Sequence, residues 1–147
     1  MIGNLSLVWW LLLATISILI CYSDIRYRKI PNEYCLMVLV LSLILWVSSE
    51  RDWGTITISL IFLIGGFFLF LIGVWGAGDA KLIASFSPLF DPSLLPLGFL
   101  ITASTGVTIG VIQIAISYLF GNNERHRGVP YAVAICVGSL FTALASF

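Results

Sequence analysis

AKLIASFSPLF, residues 80–90, decides how this chain is folded. The stretch is apolar, but it is too short to cross about 30 Å of hydrocarbon as a helix, which takes about 20 residues. Longer apolar runs flank it, at 5–22, 34–47 and 56–75 before it and at 94–120 and 129–147 after it. If 80–90 crosses or nearly crosses, then Arg26, Arg28, Lys29, Lys81, Arg125 and Arg127 lie on one side and Arg51 alone lies opposite, six against one. If it stays on one side, Arg125 and Arg127 move across and the balance falls to four against three. Cytoplasmic loops collect Lys and Arg. The expected fold is therefore an all-α polytopic membrane bundle of about six transmembrane helices, the fourth short, with both termini outside the cytoplasm.

Composition agrees with a membrane solvent. Of 147 residues, 60% are hydrophobic and 10% charged, and the mean hydropathy of +1.09 lies outside the range of soluble globular chains. Seven acids balance seven bases, so no broad field points to nucleic acid; the expected surroundings are membrane lipid. Cys21, Cys35 and Cys136 stand apart inside apolar runs and form no C-x-x-C pair, which indicates neither a zinc site nor a redox motif. His126, between two arginines, reads as an interfacial loop residue, so no metal and no cofactor is expected. The first apolar run has no preceding Lys or Arg and is followed by three bases, the charge order of a retained span rather than of a cleaved signal.

Helix boundaries carry ordinary signals. Pro31 and Asn32 start the second helix, Pro130 falls in the first turn of the sixth, and Pro88, Pro92 and Pro96 suit the turn between the fourth and fifth. Gly65, Gly66 and Gly73 in the third span, and Gly106 with Gly110 in the fifth, have spacing suited to close helix contact. Repeats and linkers are lacking, so one domain over 1–147 is expected.

The acids are more informative than the bases. Glu50, Asp52, Asp91 and Glu124 fall in loops where water explains them, and Glu33 complements the dipole of the second helix. Asp24 and Asp79 remain, and the six-helix topology puts both at the same cytoplasmic boundary. Two adjacent carboxylates share one proton and titrate as a unit. The charged one can take a proton from water while the neutral one polarises a carbonyl, which is peptide hydrolysis without metal. Around Asp79 the sequence is GAGDAKL, 76–82, where Gly76 and Gly78 allow unusual backbone conformations and close approach of a substrate strand. Lys81 can tune Asp79 or meet an acidic group on a substrate. Each aspartate also has a plainer reading: Asp79 as the N-cap of the fourth helix, and Asp24 as a boundary carboxylate balanced by Arg26 and Arg28.

DIRYRKIPN, 24–32, followed by GAGDAKL resembles the prepilin peptidases, the type IV leader peptidases or GxGD aspartic proteases. The resemblance puts Asp24 and Asp79 in the catalytic positions, with Gly76, Gly78, Lys81, Pro31 and Asn32 in support. GVPYAVAI, 128–135, is similar to the family's last helix start, with Ala132 and Val133 where glycine and proline are common. The resemblance implies cleavage of the basic leader of a prepilin or pseudopilin at a bacterial or archaeal cytoplasmic membrane, with the site facing the cytoplasm. Other pilus-assembly or secretion proteins are further partners it implies. Larger members carry paired C-x-x-C motifs before the first span and an N-methyltransferase activity; this chain opens on its first span, so peptidase alone is expected. The rival readings are a small proton-coupled transporter component, an inactive pilus-assembly subunit and a presenilin-type protease. No ionisable group falls well inside a span, which argues against the first, and the basic I-P-N context of Asp24 argues against the last.

Overall fold

The computed structural model describes residues 2–49, 53–73, 76–120 and 130–147. Six helices follow in order: α1 (Ile2–Tyr27), α2 (Asn32–Ser48), α3 (Gly54–Leu71), α4 (Ala77–Phe86), α5 (Leu95–Phe120) and α6 (Tyr131–Ala145). Short 3₁₀ turns at Ser87–Leu89 and Pro92–Leu94 join α4 to α5, and no strand occurs among the described residues. This is an all-α membrane protein. Three stretches, Leu7–Tyr27, Gly54–Leu71 and Pro92–Leu119, are long and apolar enough to cross a membrane, and α2 and α6 are shorter apolar helices. Glu50, Arg51, Asp52, Glu124, Arg125, His126 and Arg127 lie outside the described residues.

The short fourth segment is the hub. α4 packs on α2, α3 and α6, while α1 packs on α2 and α6 and α5 packs chiefly on α6. Ten residues rise only about 15 Å, half the hydrocarbon thickness, so the helix cannot be lipid-clad along a full crossing. From Leu82 to Phe90 every residue is buried, and Phe86, Leu82 and Leu89 are wholly enclosed. That enclosure allows the helix to break at depth, because non-helical backbone inside a membrane is tolerated only where protein covers it. Ser87 Oγ donates to the Ala84 carbonyl at 2.8 Å and the Phe90 N–H to the Ser87 carbonyl at 3.1 Å. Asp91, read from sequence as a solvated loop acid, caps the second turn by accepting from Ser93 N–H at 2.9 Å. The expected segment 80–90 is thus a helix that starts earlier, at Ala77, and ends in a 3₁₀ turn through Pro88, where proline denies the helix a donor.

The outer helices show the reverse pattern. Large apolar side chains of α3 and α5, among them Ile61, Phe68, Val107 and Ile114, are more than half exposed, as expected where lipid is the solvent. Between α5 and α6, Gly98 and Gly138 leave no room for a side chain, a tighter fit than at Gly106, which was singled out in the sequence. A Cβ at Gly138 would overlap the Thr102 hydroxyl and lie 3.1 Å from the Gly98 carbonyl, whereas one at Gly106 would sit a comfortable 3.7 Å from Ala134.

Candidate functional site

Four helix ends converge at one end of the bundle: the C-terminus of α1 and the N-termini of α2, α4 and α6. Asp24 lies in the last turn of α1, which runs on to Tyr27, so the acid stands inside the helix rather than at its end. Its side chain is 8% exposed. One carboxylate oxygen accepts from the Ala132 N–H at 3.1 Å. Pro130 is the N-cap of α6 and makes no side-chain capping bond, so the second N–H of that helix is one of the donors a helix start leaves unpaired. Asp24 supplies the acceptor from another helix, where the helix dipole also favours an anion.

The chain leaves α1 through Arg28, whose φ of 54° puts a non-glycine residue in the left-handed region. Arg28 N–H donates to the Asp24 carbonyl at 2.9 Å, the single bond that closes a left-handed helix end. Ser23 Oγ donates to the Lys29 carbonyl at 2.9 Å and folds the turn back on the helix. Ile30 then lies against Gly78 of α4, where a Cβ would come within 3.2 Å of Ile30 Cβ. Pro31, extended at φ −63° and ψ 134°, is the N-cap of α2, and Asn32 is its first residue.

Asp79 occupies the third position of α4, and the N-cap is Gly76. The sequence-based alternative of Asp79 as N-cap is corrected accordingly. In its actual position the carboxylate reaches back to the N–H of Gly76, the acid half of a capping box. Gly76 has φ −75° and ψ 138°, a conformation open to any residue, so its glycine character answers a demand for space: a Cβ there would lie 2.8 Å from Asp79 Oδ2. Burial and, after it, the negative charge of Asp24 raise Asp79 from the usual carboxylate range to about 6, while the Gly76 N–H pulls the other way. The two acids therefore sense each other.

Lys81 is turned away from this pair. Two positions along a helix lie on different faces, and Lys81 Nζ donates to Asn32 Oδ1 at 3.2 Å, tying the start of α4 to the start of α2. Cys21 and Cys136, separate in sequence, meet by a thiol hydrogen bond between α1 and α6, and both are free. No group of His, Cys, Asp and Glu suited to a metal occurs among the described residues. Sequence reasoning missed the Ala132 N–H. The available signal was Pro130, which starts a helix without a side-chain acceptor and so leaves donors for another element to satisfy.

Comparisons with known proteins bear on this constellation. A prepilin leader peptidase/N-methyltransferase of Legionella pneumophila is 24% identical over 148 residues, covering 93% of this chain and 50% of the relative. The chain thus spans about half the length of that curated relative. No solved structure matches it. The model of the type IV leader peptidase family matches residues 11–111, a stretch that holds both Asp24 and Asp79. This chain belongs to the type IV leader peptidase family.

Proposed function

We propose that residues 1–147 form one peptidase unit, an aspartic endopeptidase embedded in the cytoplasmic membrane that removes the basic leader of prepilin-like proteins on the cytoplasmic side, with Asp24 and Asp79 as its catalytic pair. The observation that carries this reading is the placing of both acids where the same helix ends converge, Asp24 on the Ala132 N–H and Asp79 in the first turn of α4; burial first, and the charge of Asp24 after it, raise Asp79 to about 6. In the active form, which the free protein populates fully below about pH 6, the pair holds one proton and Asp79 carries it. Asp24, which accepts a hydrogen bond from the main-chain N–H of Ala132, serves as base. It takes a proton from water as the water oxygen bonds to the scissile carbonyl carbon, and Asp79 gives its proton to the carbonyl oxygen. Collapse of the resulting gem-diol breaks the C–N bond: one of its hydroxyls returns a proton to Asp79 as the carboxyl C=O re-forms, and the proton on Asp24 leaves with the amine.

The remaining residues have supporting roles in this reading. Gly76 leaves room for the Asp79 carboxylate, Gly78 lets the 28–31 turn lie against α4, and Lys81 with Asn32 fixes α4 to α2 beside Pro31. A prepilin holds an apolar helix in the bilayer with its basic leader just inside, so its scissile bond meets a site at the membrane boundary, where water is at hand. Two carboxylates supply hydrolysis; methyl transfer forms no part of the proposal. The test is processing of a co-expressed prepilin by wild type, Asp24→Asn and Asp79→Asn. Loss of cleavage in both, with insertion and folding intact, is the expected result; processing retained in either one overturns the two-carboxylate mechanism.

A further inference from the structure

Arg28 carries an interaction that the hydrolytic chemistry of the two aspartates does not use. Its Nε and Nη1 are each shut off from solvent and have no hydrogen-bond partner among the described residues. A guanidinium keeps its charge in any protein environment, and buried donors on a cation are costly unless an acceptor meets them. The backbone compounds this. At φ 54° glycine would be the unstrained choice, yet the position is occupied by the residue with the largest set of side-chain donors. Arginine here is therefore held against both backbone preference and desolvation, beside Asp24, on which its charge acts.

Resting on the peptidase reading above, we propose that Arg28 is a substrate-positioning residue whose half-buried side chain turns outward when substrate arrives, so that Nε–H and Nη1–H, enclosed in the free protein, donate to main-chain carbonyl oxygens of the extended peptide seated beside Asp24. A carbonyl fits better than an acidic side chain, because Asp24 and Asp79 already make the surroundings negative and would repel a second anion. An extended peptide also presents carbonyls that need donors once water is excluded.

The test uses the whole chain in zwitterionic phosphatidylcholine vesicles and a fluorescent peptide consisting of a basic leader and the first apolar residues of a pilin. Arg28→Gly keeps the left-handed turn and removes only the side chain. Its melting midpoint is expected to stay within a few degrees of wild type, while kcat/KM falls on the order of 10- to 100-fold, the size of one or two charge-assisted hydrogen bonds. Millimolar guanidinium restores part of the loss in Arg28→Gly and none in Asp24→Asn. Binding separates this inference from the peptidase reading: the uncleaving Asp79→Asn protein binds the peptide, and adding Arg28→Gly weakens that binding by a similar factor. If wild type cleaves but Arg28→Gly binds and cleaves as well as wild type, the inference falls and the peptidase reading stands. Unchanged binding with only the pH profile of cleavage displaced assigns Arg28 to Asp24 alone and also overturns it. A defect seen only in vesicles containing anionic phosphatidylglycerol assigns the donors to a lipid phosphate and overturns it equally. Wild type that neither binds nor cleaves the peptide removes both readings.

Discussion

Gly76→Ala isolates the position of a carboxylate from the stability of the fold. The new Cβ would lie 2.8 Å from Asp79 Oδ2 and 3.5 Å from its Cγ, whereas ordinary contact begins at 3.4 Å. Relief therefore asks for a movement of roughly 0.6 Å, the difference between 3.4 and 2.8 Å. The atom that gives way is the tip of a side chain, so the fold absorbs the change; exchanging Gly for Ala at an N-cap costs about 0.5–1 kcal/mol. Activity is less tolerant. A 1 Å misplacement of a reacting group costs about 100-fold, so 0.6 Å corresponds to about a 15-fold loss. Initial rates of leader-peptide cleavage by detergent-purified protein, read beside thermal melts, give both numbers. Ala77→Gly is the control, since it weakens the same helix start by a similar amount without adding an atom near Asp79. The reasoning fails if folded Gly76→Ala cleaves within twofold of wild type, or if Ala77→Gly loses as much activity.

Asp79→Asn is expected to abolish cleavage while leaving the melting midpoint at neutral pH equal to or above that of wild type, because a buried charge is removed; Asp24→Asn also abolishes cleavage, and its amide oxygen can still accept from Ala132 N–H. Asp79 holds its proton up to about pH 6 in the folded chain against 3.8 for the ordinary group, so the folded state binds more protons in that interval. Stability conferred by this group is present below pH 3.8 and is lost as pH rises through 6, a dependence that Asp79→Asn should lack in melts across that range. The same titration makes kcat/KM fall tenfold per pH unit above about 6, with the kcat profile displaced to higher pH as bound peptide excludes water. Gly138→Ala forces a methyl against Thr102 and the Gly98 carbonyl and should destabilise the bundle by about 1–3 kcal/mol, read as a lower melting midpoint; chelation with EDTA leaves cleavage unchanged.

What could be read from residues alone was whatever depends on solvent and on local pattern. The apolar runs gave helix positions within a few residues because lipid imposes length. GAGD and DIRYRKIPN stood out because charge is scarce in such a chain. Interactions between distant segments were not legible. Nothing in Asp24 indicates that its partner is the backbone of residue 132, and nothing in Gly106 and Gly110 reveals that Gly98 and Gly138 leave no room for a side chain between α5 and α6. The role of Gly76 illustrates the same limit: sequence offered backbone freedom, and the structure answers with the van der Waals radius of a neighbouring oxygen. Residues 80–90 looked too short to span because they are short; the burial of 82–90 depends on α2, α3 and α6, which no local window contains.

The bond from Ala132 to Asp24 gives the last helix a part in holding that carboxylate, one that its plain apolar sequence conceals. A protein ending after α5 would still possess both acids and the full stretch matched to its family, yet one acid would face a gap where its donor had been and water or lipid would enter. Shortened copies of this gene should therefore be inserted, abundant and inert, and supplying residues 121–147 as a separate polypeptide is the complementation that would revive them.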